Sequence, residues 1–491
     1  MLLLVMVVTY CPDCLPSAIL GRCTLPLFVT HAMDMLNRRR FLQGLMIAAA
    51  NPGLSLPARA ADGRIGVLLS DPGELLDLPE GFSYHVVSRA GDPMNDGLVI
   101  PEAHDGMAAF AGPDGRIILV CNHELSPAFQ GRSAFGKAFD SVPQSIRDKI
   151  YDLGGGRTPG AGGTTTTVYN PETGETERQH LSLAGTELNC AGGSTPWGSW
   201  LSCEECFESP GSELQWARWV TREKSHGYVF EVPASETGLA EPRPIKAMGK
   251  FEHEAAAVHE PTGIVYLTED RHHGLFYRYL PDEPGRLHEG GRLQALAIEG
   301  RPAFSTHNWS KRTAVVAGQA LRTSWVDLDN VDGEDNDLRL RGVAAGAATF
   351  ARGEDLCVAD GDFVFTCTIG GRARLGQVFS YRPSPHEGQR EESEEPGRLT
   401  LIAESSARSL LRHADNITMA PWGDLLVCED TGGSHCGIIG IRADGSQYHL
   451  ADNAYSNSEL AGICFSPDGE TMFVNIQYPG TTLAITGHWP D

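Results

Sequence analysis

One hydropathy pattern recurs along the chain. A proline or small residue and a glycine mark a turn, a run of four or five apolar residues follows, and the run ends on a polar or acidic residue. The copies are PDGRIILVCNHEL from Pro113, PWGSWLSCEEC from Pro196, PTGIVYLTEDR from Pro261, PWGDLLVCEDT from Pro421 and PDGETMFVNIQY from Pro467, with DGDFVFTCTIG from Asp360 as a degenerate sixth. Each opens with the turn signal of a hairpin and continues in a β-rich run, so each predicts a strand. Further runs such as GLFYRYLP and GQVFSYRP predict partner strands. Helix signals are few; SVPQSIRDKIYDLG, 141–154, is one candidate. Repeated hairpins with few helices predict an all-β fold. The expected architecture is a six-bladed β-propeller with long inserted loops and a few short helices, because radial repetition protects strand edges and leaves a central channel. A two-sheet sandwich is the alternative.

The strand ends carry the chemistry. Aligned, they read VCNHE, LSCEE, YLTED, LVCED and FVNIQ. The last column holds Glu124, Glu205, Asp270, Asp430 and Gln477; the column before it holds His123, Glu204, Glu269, Glu429 and Ile476. Adjacent side chains of a strand face opposite ways, so only one column can point at a shared centre. The last column is polar throughout and is the one expected there, with Glu204 facing away. Carboxylates gathered on one axis repel each other and are costly to desolvate, and cations relieve both costs. Oxygen-rich clusters suit calcium, and an added thiolate suits a transition metal. The alternative leaves these carboxylates at strand ends in solvent.

Composition narrows the class. The 491 residues carry a formal net charge of −24, which disfavours non-specific binding to nucleic acid or anionic lipid. Near the N-terminus, NRRRFLQ places Arg38 and Arg39 before Phe41 and Leu42, the twin-arginine export pattern. The weakly apolar stretch that follows ends in Ala58-Arg59-Ala60, a cleavage-site pattern. Residues 1–60 are therefore expected to be an N-terminal extension and signal, and residues 61–491 a single β-propeller domain. MLLLVMVVTYC is well short of the roughly 20 residues a membrane span needs, and Met33 or Met35 is the expected start. The expected location is periplasmic or secreted, with no membrane span. Of the 12 cysteines, nine fall after the signal, an odd number, so at least one thiol is free or a ligand. Cys203 and Cys206 form a lone C-x-x-C without the second pair a zinc ribbon needs.

Several residues outside the repeat are chemical candidates. Cys190 lies in NCAGG, whose glycines would let backbone approach an ion closely. FEHE offers His253 and Glu254. FARGED places Arg352 and Glu354 two apart, facing one way in an extended segment, so that the arginine could clamp an anionic oxygen beside a metal ligand. Asn122 could donate to the same anion. Asp105 in DGM and Asp415 and Asn416 in HADN are further oxygen ligands or turn formers. GGTTTT lacks a P-loop lysine and reads as a strand. With no G-x-S-x-G elbow and no Walker motif, a hydrolase built on this chain would use a metal-activated oxygen.

Taken in order, CNHEL, GGTTTT, NCAGGSTPWGSWLSCEE, FEHE, LTEDR, FARGED, DNI…PWGDLLVCED and SPDG…FVNIQYPG resemble the PhoX-type alkaline phosphatases over essentially the whole chain after the signal. The resemblance implies a six-bladed propeller, twin-arginine export and hydrolysis of small phosphomonoesters by a metal-bound oxygen nucleophile. It implies two ferric ions and about three calcium ions. Cys190 would be the iron-bound thiolate; Glu205, Glu254, Asp270, Glu354 and Asp430 would be metal ligands, joining Glu124 from the strand register. Arg352 and Asn122 would hold the phosphate. Export machinery is the expected partner of a monomeric enzyme. The C-x-x-C at 203–206 departs from the family pattern. The competing functions are a calcium-dependent lactonase or phytase-like hydrolase and a non-catalytic calcium-stabilised binding propeller.

Overall fold

Every turn-and-strand copy becomes the second strand of an antiparallel meander. These strands are Ile117–His123, Ser199–Glu204, Ile264–Glu269, Asp362–Cys367, Leu425–Glu429 and Met472–Ile476. They are buried almost without interruption, which is why they read as continuous apolar runs rather than as alternation. The structure, a computed structural model, describes residues 65–136, 144–310, 315–432 and 435–490. The segment expected to be an N-terminal extension and export signal, 1–60, lies outside the described residues. Among the described residues no helix is long and apolar enough to cross a membrane.

The fold is all-β with antiparallel pairing and few helices. The helix expected over 141–154 is confined, within the described residues, to Gln144–Arg147. A second helix, Leu338–Ala345, was not signalled by the sequence pattern; Gly346 ends it at φ 111°, where its N–H reaches the carbonyls of Gly342 and Val343. The last meander is completed by Ser83–Arg89 from the other end of the chain, which pairs with Thr481–Thr486.

Apolar clusters fill the spaces between successive meanders. Val120, Leu183, Trp200 and Phe230 join the first to the second, and Leu201, Val229, Val265 and Leu275 the second to the third. Tyr266, Phe276, Phe365 and Phe379 join the third to the fourth, and Val364, Ile417, Val427 and Ile439 the fourth to the fifth. Leu426, Ile438, Val474 and Leu483 join the fifth to the sixth, and Leu119, Met107, Phe473 and Ala484 return from the sixth to the first.

The first strand of each meander, His104–Ala111, Asn189–Ser194, His253–His259, Gly353–Ala359, Ala414–Met419 and Leu460–Phe465, packs beside the first strands of its two neighbours, and these contacts close on themselves. The second strands, which the sequence alignment aimed at a common axis, stand one layer further out. The first strands approach closely: a Cβ at Gly106 would lie 2.5 Å from Ala191 Cα of the next first strand.

Candidate metal centre

Each pair of first and second strands slips by one residue near the mouth of the ring. The register runs from His104↔His123 to Met107↔Cys121, from Asn189↔Glu204 to Gly192↔Ser202 and from His253↔Glu269 to Ala256↔Leu267. It runs likewise from Gly353↔Cys367 to Leu356↔Phe365 and from Ala414↔Glu429 to Ile417↔Val427. Such a bulge re-aims the side chain it displaces. The residues displaced first are Asp105, Cys190, Glu254, Glu354 and Asp415. In the sixth meander the slip falls one residue later, between Ala461 and Cys464, and the corresponding position is Ala461. The second strands contribute the residue just past their ends: Glu124, Glu205, Asp270, Thr368, Asp430 and Gln477. The centre is therefore made of two columns, one on the bulges and one on the strand exits.

The two columns meet. Ligand atoms of Cys190, Glu205 and Glu254 lie within 4.8 Å of one another, as do those of Asp105, Glu124 and Glu459, and those of Glu254, Glu354 and Asp415. Glu254 belongs to two of these groups, so they are contiguous. The Gln477 amide donates to Asp105 Oδ2 and to Glu124 Oε2, each at 2.9 Å. The Thr368 hydroxyl donates to Glu354. Arg352, held at φ 58°, donates through Nε to Asp270 Oδ1 at 2.8 Å and through Nη2 to Asp270 Oδ2 at 2.5 Å, with Glu354 Oε1 at 3.2 Å.

Burial and mutual repulsion push the acids upward. Burial, then the charges of neighbouring carboxylates, hold Glu124, Glu205, Glu254, Asp415 and Glu459 well above the usual carboxylate range. Asp105 is raised to about 6, and Glu354 to about 8 despite Arg352 beside it. Burial also raises the Cys190 thiol, as do Glu254 and Glu205. Asp270 is the exception: burial raises it, but the paired guanidinium of Arg352 outweighs that and lowers it. One arginine cannot neutralise this many acids. The thiol-bearing group is a mixed sulfur–oxygen donor set of the kind transition metals accept, while the two all-oxygen groups suit hard cations. The donors present thus fit a centre of several cations.

Two sequence expectations are corrected. Asn122 does not face the cluster: its amide donates to the carbonyls of Cys190 and Ala191 at 2.8 and 2.7 Å, and its oxygen accepts from Trp200 Nε1 and Ser202 Oγ at 2.9 and 2.7 Å. All its hydrogen-bonding positions are filled by protein, so it sets the backbone that presents Cys190 and has none left for phosphate. The glycines after Cys190 serve strand packing rather than approach to an ion. A Cβ at Gly193 would lie 1.8 Å from the Ala256 carbonyl of the neighbouring first strand.

Asp105, Asp415 and Glu459 complete the clusters. In sequence the first two read equally as turn formers, and Glu459 falls outside the repeated motifs. The signal of the first two is an acid or thiol at the start of the run that precedes five of the six hairpins, as in HDGM, NCAGG, HEAA, GEDL and ADNI, whereas Glu459 stands one residue before Leu460–Phe465. Asp430 lies partly buried just past Leu425–Glu429 and accepts from Gly432 N at 3.0 Å. None of the nine cysteines among the described residues is joined in a disulfide, Cys203 and Cys206 included.

The column that faces away holds the scaffold. Glu204 accepts from the backbone N–H groups of Glu187, Gly227 and Tyr228 and bonds the His226 ring at 2.6 Å. Asp152 at 3.3 Å and Glu187 at 3.7 Å complete the setting of His226, which is fully buried. Burial alone would lower this imidazole, but the charges of Glu204 and Glu187 and the bond to Asp152 raise it to about 10. The folded value lies above the unfolded one, so the stabilisation is complete below about pH 6.5 and is lost as pH rises through about 10. His226→Gln is expected to cost about 3–5 kcal/mol, as removal of one partner from a buried ion pair does. Urea titrations from pH 7 to 10 check this: wild-type stability should fall more steeply across that window than that of the variant.

The sequence matches the profile of the family described as alkaline phosphatase PhoX over residues 64–157 and 157–480. The fold matches a structure of Pseudomonas fluorescens PhoX in complex with vanadate, a transition-state analogue, with a TM-score of 0.62 and 18% identity, covering 88% of this chain and 97% of that one. A gluconolactonase from Xanthomonas campestris aligns at 10% identity over 88% of this chain and 100% of that one, with a TM-score of only 0.37. No curated protein matches the chain.

Proposed function

Since the chain belongs to the alkaline phosphatase PhoX family and is a phosphoric monoester hydrolase, we propose that it hydrolyses small phosphate monoesters at the ringed acidic centre, loaded with iron and calcium. The observation that carries this reading is the convergence of the bulge and strand-exit columns into three donor groups, one of them bearing a thiol. Cys190, Glu205 and Glu254 would hold iron. Asp105, Glu124 and Glu459, with Glu354, Asp415, Asp270 and Asp430 nearby, would complete the iron and calcium shells. The bound ions supply Lewis-acid charge, which turns an acidic pocket into one that attracts an anionic ester.

The chain's own residues orient the substrate. Asp270 fixes Arg352 through two parallel bonds and so presents the Nη1 edge of the guanidinium, which is free of carboxylates among the described residues. The two N–H groups of Nη1 suit phosphate oxygens and strengthen their hold as charge builds there in the transition state. Thr368 holds Glu354 in the same frame, and Asn122 fixes the backbone at Cys190. The six meanders are read as the blades of a six-bladed propeller, supported by the closed ring of first strands. The twin-arginine pattern at Arg38 and Arg39 supports export to the periplasm or medium.

Metal analysis of the exported protein, paired with an assay on 4-nitrophenyl phosphate, tests the reading. Iron and calcium together, with turnover abolished by a chelator and restored by the metals, are expected. Calcium without iron and no turnover would refute it.

A further inference from the structure

The turn that follows Asp362–Cys367 carries an arginine that neither the metal groups nor Arg352 uses. Arg374 lays its guanidinium over the Trp309 ring, with Cζ 4.4 Å from the ring centroid. The indole is itself fixed: Nε1 donates to the Ile369 carbonyl at 2.8 Å, and His307 stacks on it at 4.4 Å. Gly371 N in turn donates to the His307 carbonyl at 2.9 Å. Arg374 is exposed and has no hydrogen-bond acceptor or carboxylate partner among the described residues. In a molecule of net charge −24, where Arg352 and Arg271 are both paired with acids, an unmatched, pre-positioned cation stands out.

Its place relative to the centre follows from the backbone. At one end of the turn, Thr368 N donates to the Arg352 carbonyl at 3.1 Å. At the other, His413 N donates to the Leu375 carbonyl at 2.7 Å, and Asp430 N donates to the His413 carbonyl at 3.0 Å. Arg374 thus sits on a bridge between the phosphate-binding arginine and the strand exit at Asp430. The His272 ring, two residues beyond the Asp270 that holds Arg352, lies 6.3 Å from the Trp309 ring. An ester whose phosphate meets Arg352 could extend its leaving group toward this bridge, the direction in which Arg374 lies exposed. Stacking on Trp309 settles the guanidinium's rotamers in advance, which lowers the ordering cost of binding there.

We propose that Arg374, held on the Trp309 ring, is a specificity-determining residue that receives a second oxyanion carried on the leaving group of the phosphomonoester. The inference rests on the phosphomonoesterase reading of the centre. The preferred substrates are then esters with a further phosphate or carboxylate, not those with a neutral leaving group.

Steady-state kinetics on two matched pairs test it, with the metal-loaded protein. Glycerol 3-phosphate and 3-phosphoglycerate differ by a carboxylate; fructose 6-phosphate and fructose 1,6-bisphosphate differ by a phosphate. Arg374→Gln removes the charge at an exposed site and is expected to leave metal content, kcat and the KM of the singly anionic esters within about 2-fold of wild type. It should raise KM for the doubly anionic member of at least one pair by about 5- to 10-fold, the loss expected of a charge-assisted bond. The pair affected identifies the second group as carboxylate or phosphate. If KM moves equally for both members of each pair, or for neither, Arg374 has no such role and the inference fails while the phosphatase reading stands. If the wild type hydrolyses none of the four esters, the reading beneath the inference fails first.

Discussion

Cys190→Ala is expected to strip iron from the centre and lower kcat/KM for 4-nitrophenyl phosphate by at least about 100-fold, with the fold intact. Partners one shell removed from a metal already cost about 10–100-fold in affinity or activity when lost, and Cys190 would be a direct ligand. It is also the one thiol in the three donor groups, so no neighbouring side chain supplies the same soft donor. The structural cost is small. Cys190 is 4% exposed, and its Sγ makes only weak contacts, to the carbonyls of His253 at 3.3 Å, Glu254 at 3.6 Å and Cys203 at 3.9 Å. Alanine keeps the Cβ and the backbone that Asn122 grips. Metal analysis, a thermal melt and the activity assay on one preparation check all three parts. Full activity in the variant would remove Cys190 from the centre.

Arg352→Lys is expected to lower kcat by about 10²–10³-fold while iron and calcium content stay near wild type. That is the loss seen when one pre-organised donor to a charged transition state is removed. Lysine keeps the charge but not the fork: it cannot bond both oxygens of Asp270 and still present a planar edge to phosphate. The effect should appear in kcat more than in KM, because the contact strengthens as charge develops. A variant that loses metal along with activity would instead make Arg352 a structural counter-ion of Asp270 and Glu354.

Much of the frame was legible before any coordinates. Each hairpin signal is local, a turn residue pair before a β-rich run, and all six copies form strands. The strand-exit column was legible for the same reason: Glu124, Glu205, Asp270 and Asp430 each close the apolar run that follows their turn. The other column was not. Asp105, Asp415 and the rest of the bulge set point inward because two strands slip by one residue relative to each other, and a slip belongs to a pair of strands. Asn122 misled for a related reason. In CNHE it looks like a free donor, and only the arrival of the Cys190–Ala191 backbone and of Trp200 and Ser202 shows its capacity to be spent.

The sequence by itself determined the all-β class, the six repeats, the acid at four of the six strand exits and the thiol at Cys190, because periodicity, turn chemistry and residue type act over a few neighbours. The tertiary structure alone decided which strands line the ring, which acids share an ion-sized space and which residue each polar group finally bonds. Those outcomes depend on register and on approach between meanders far apart in the chain, where burial and charge repulsion, not local preference, set the energy.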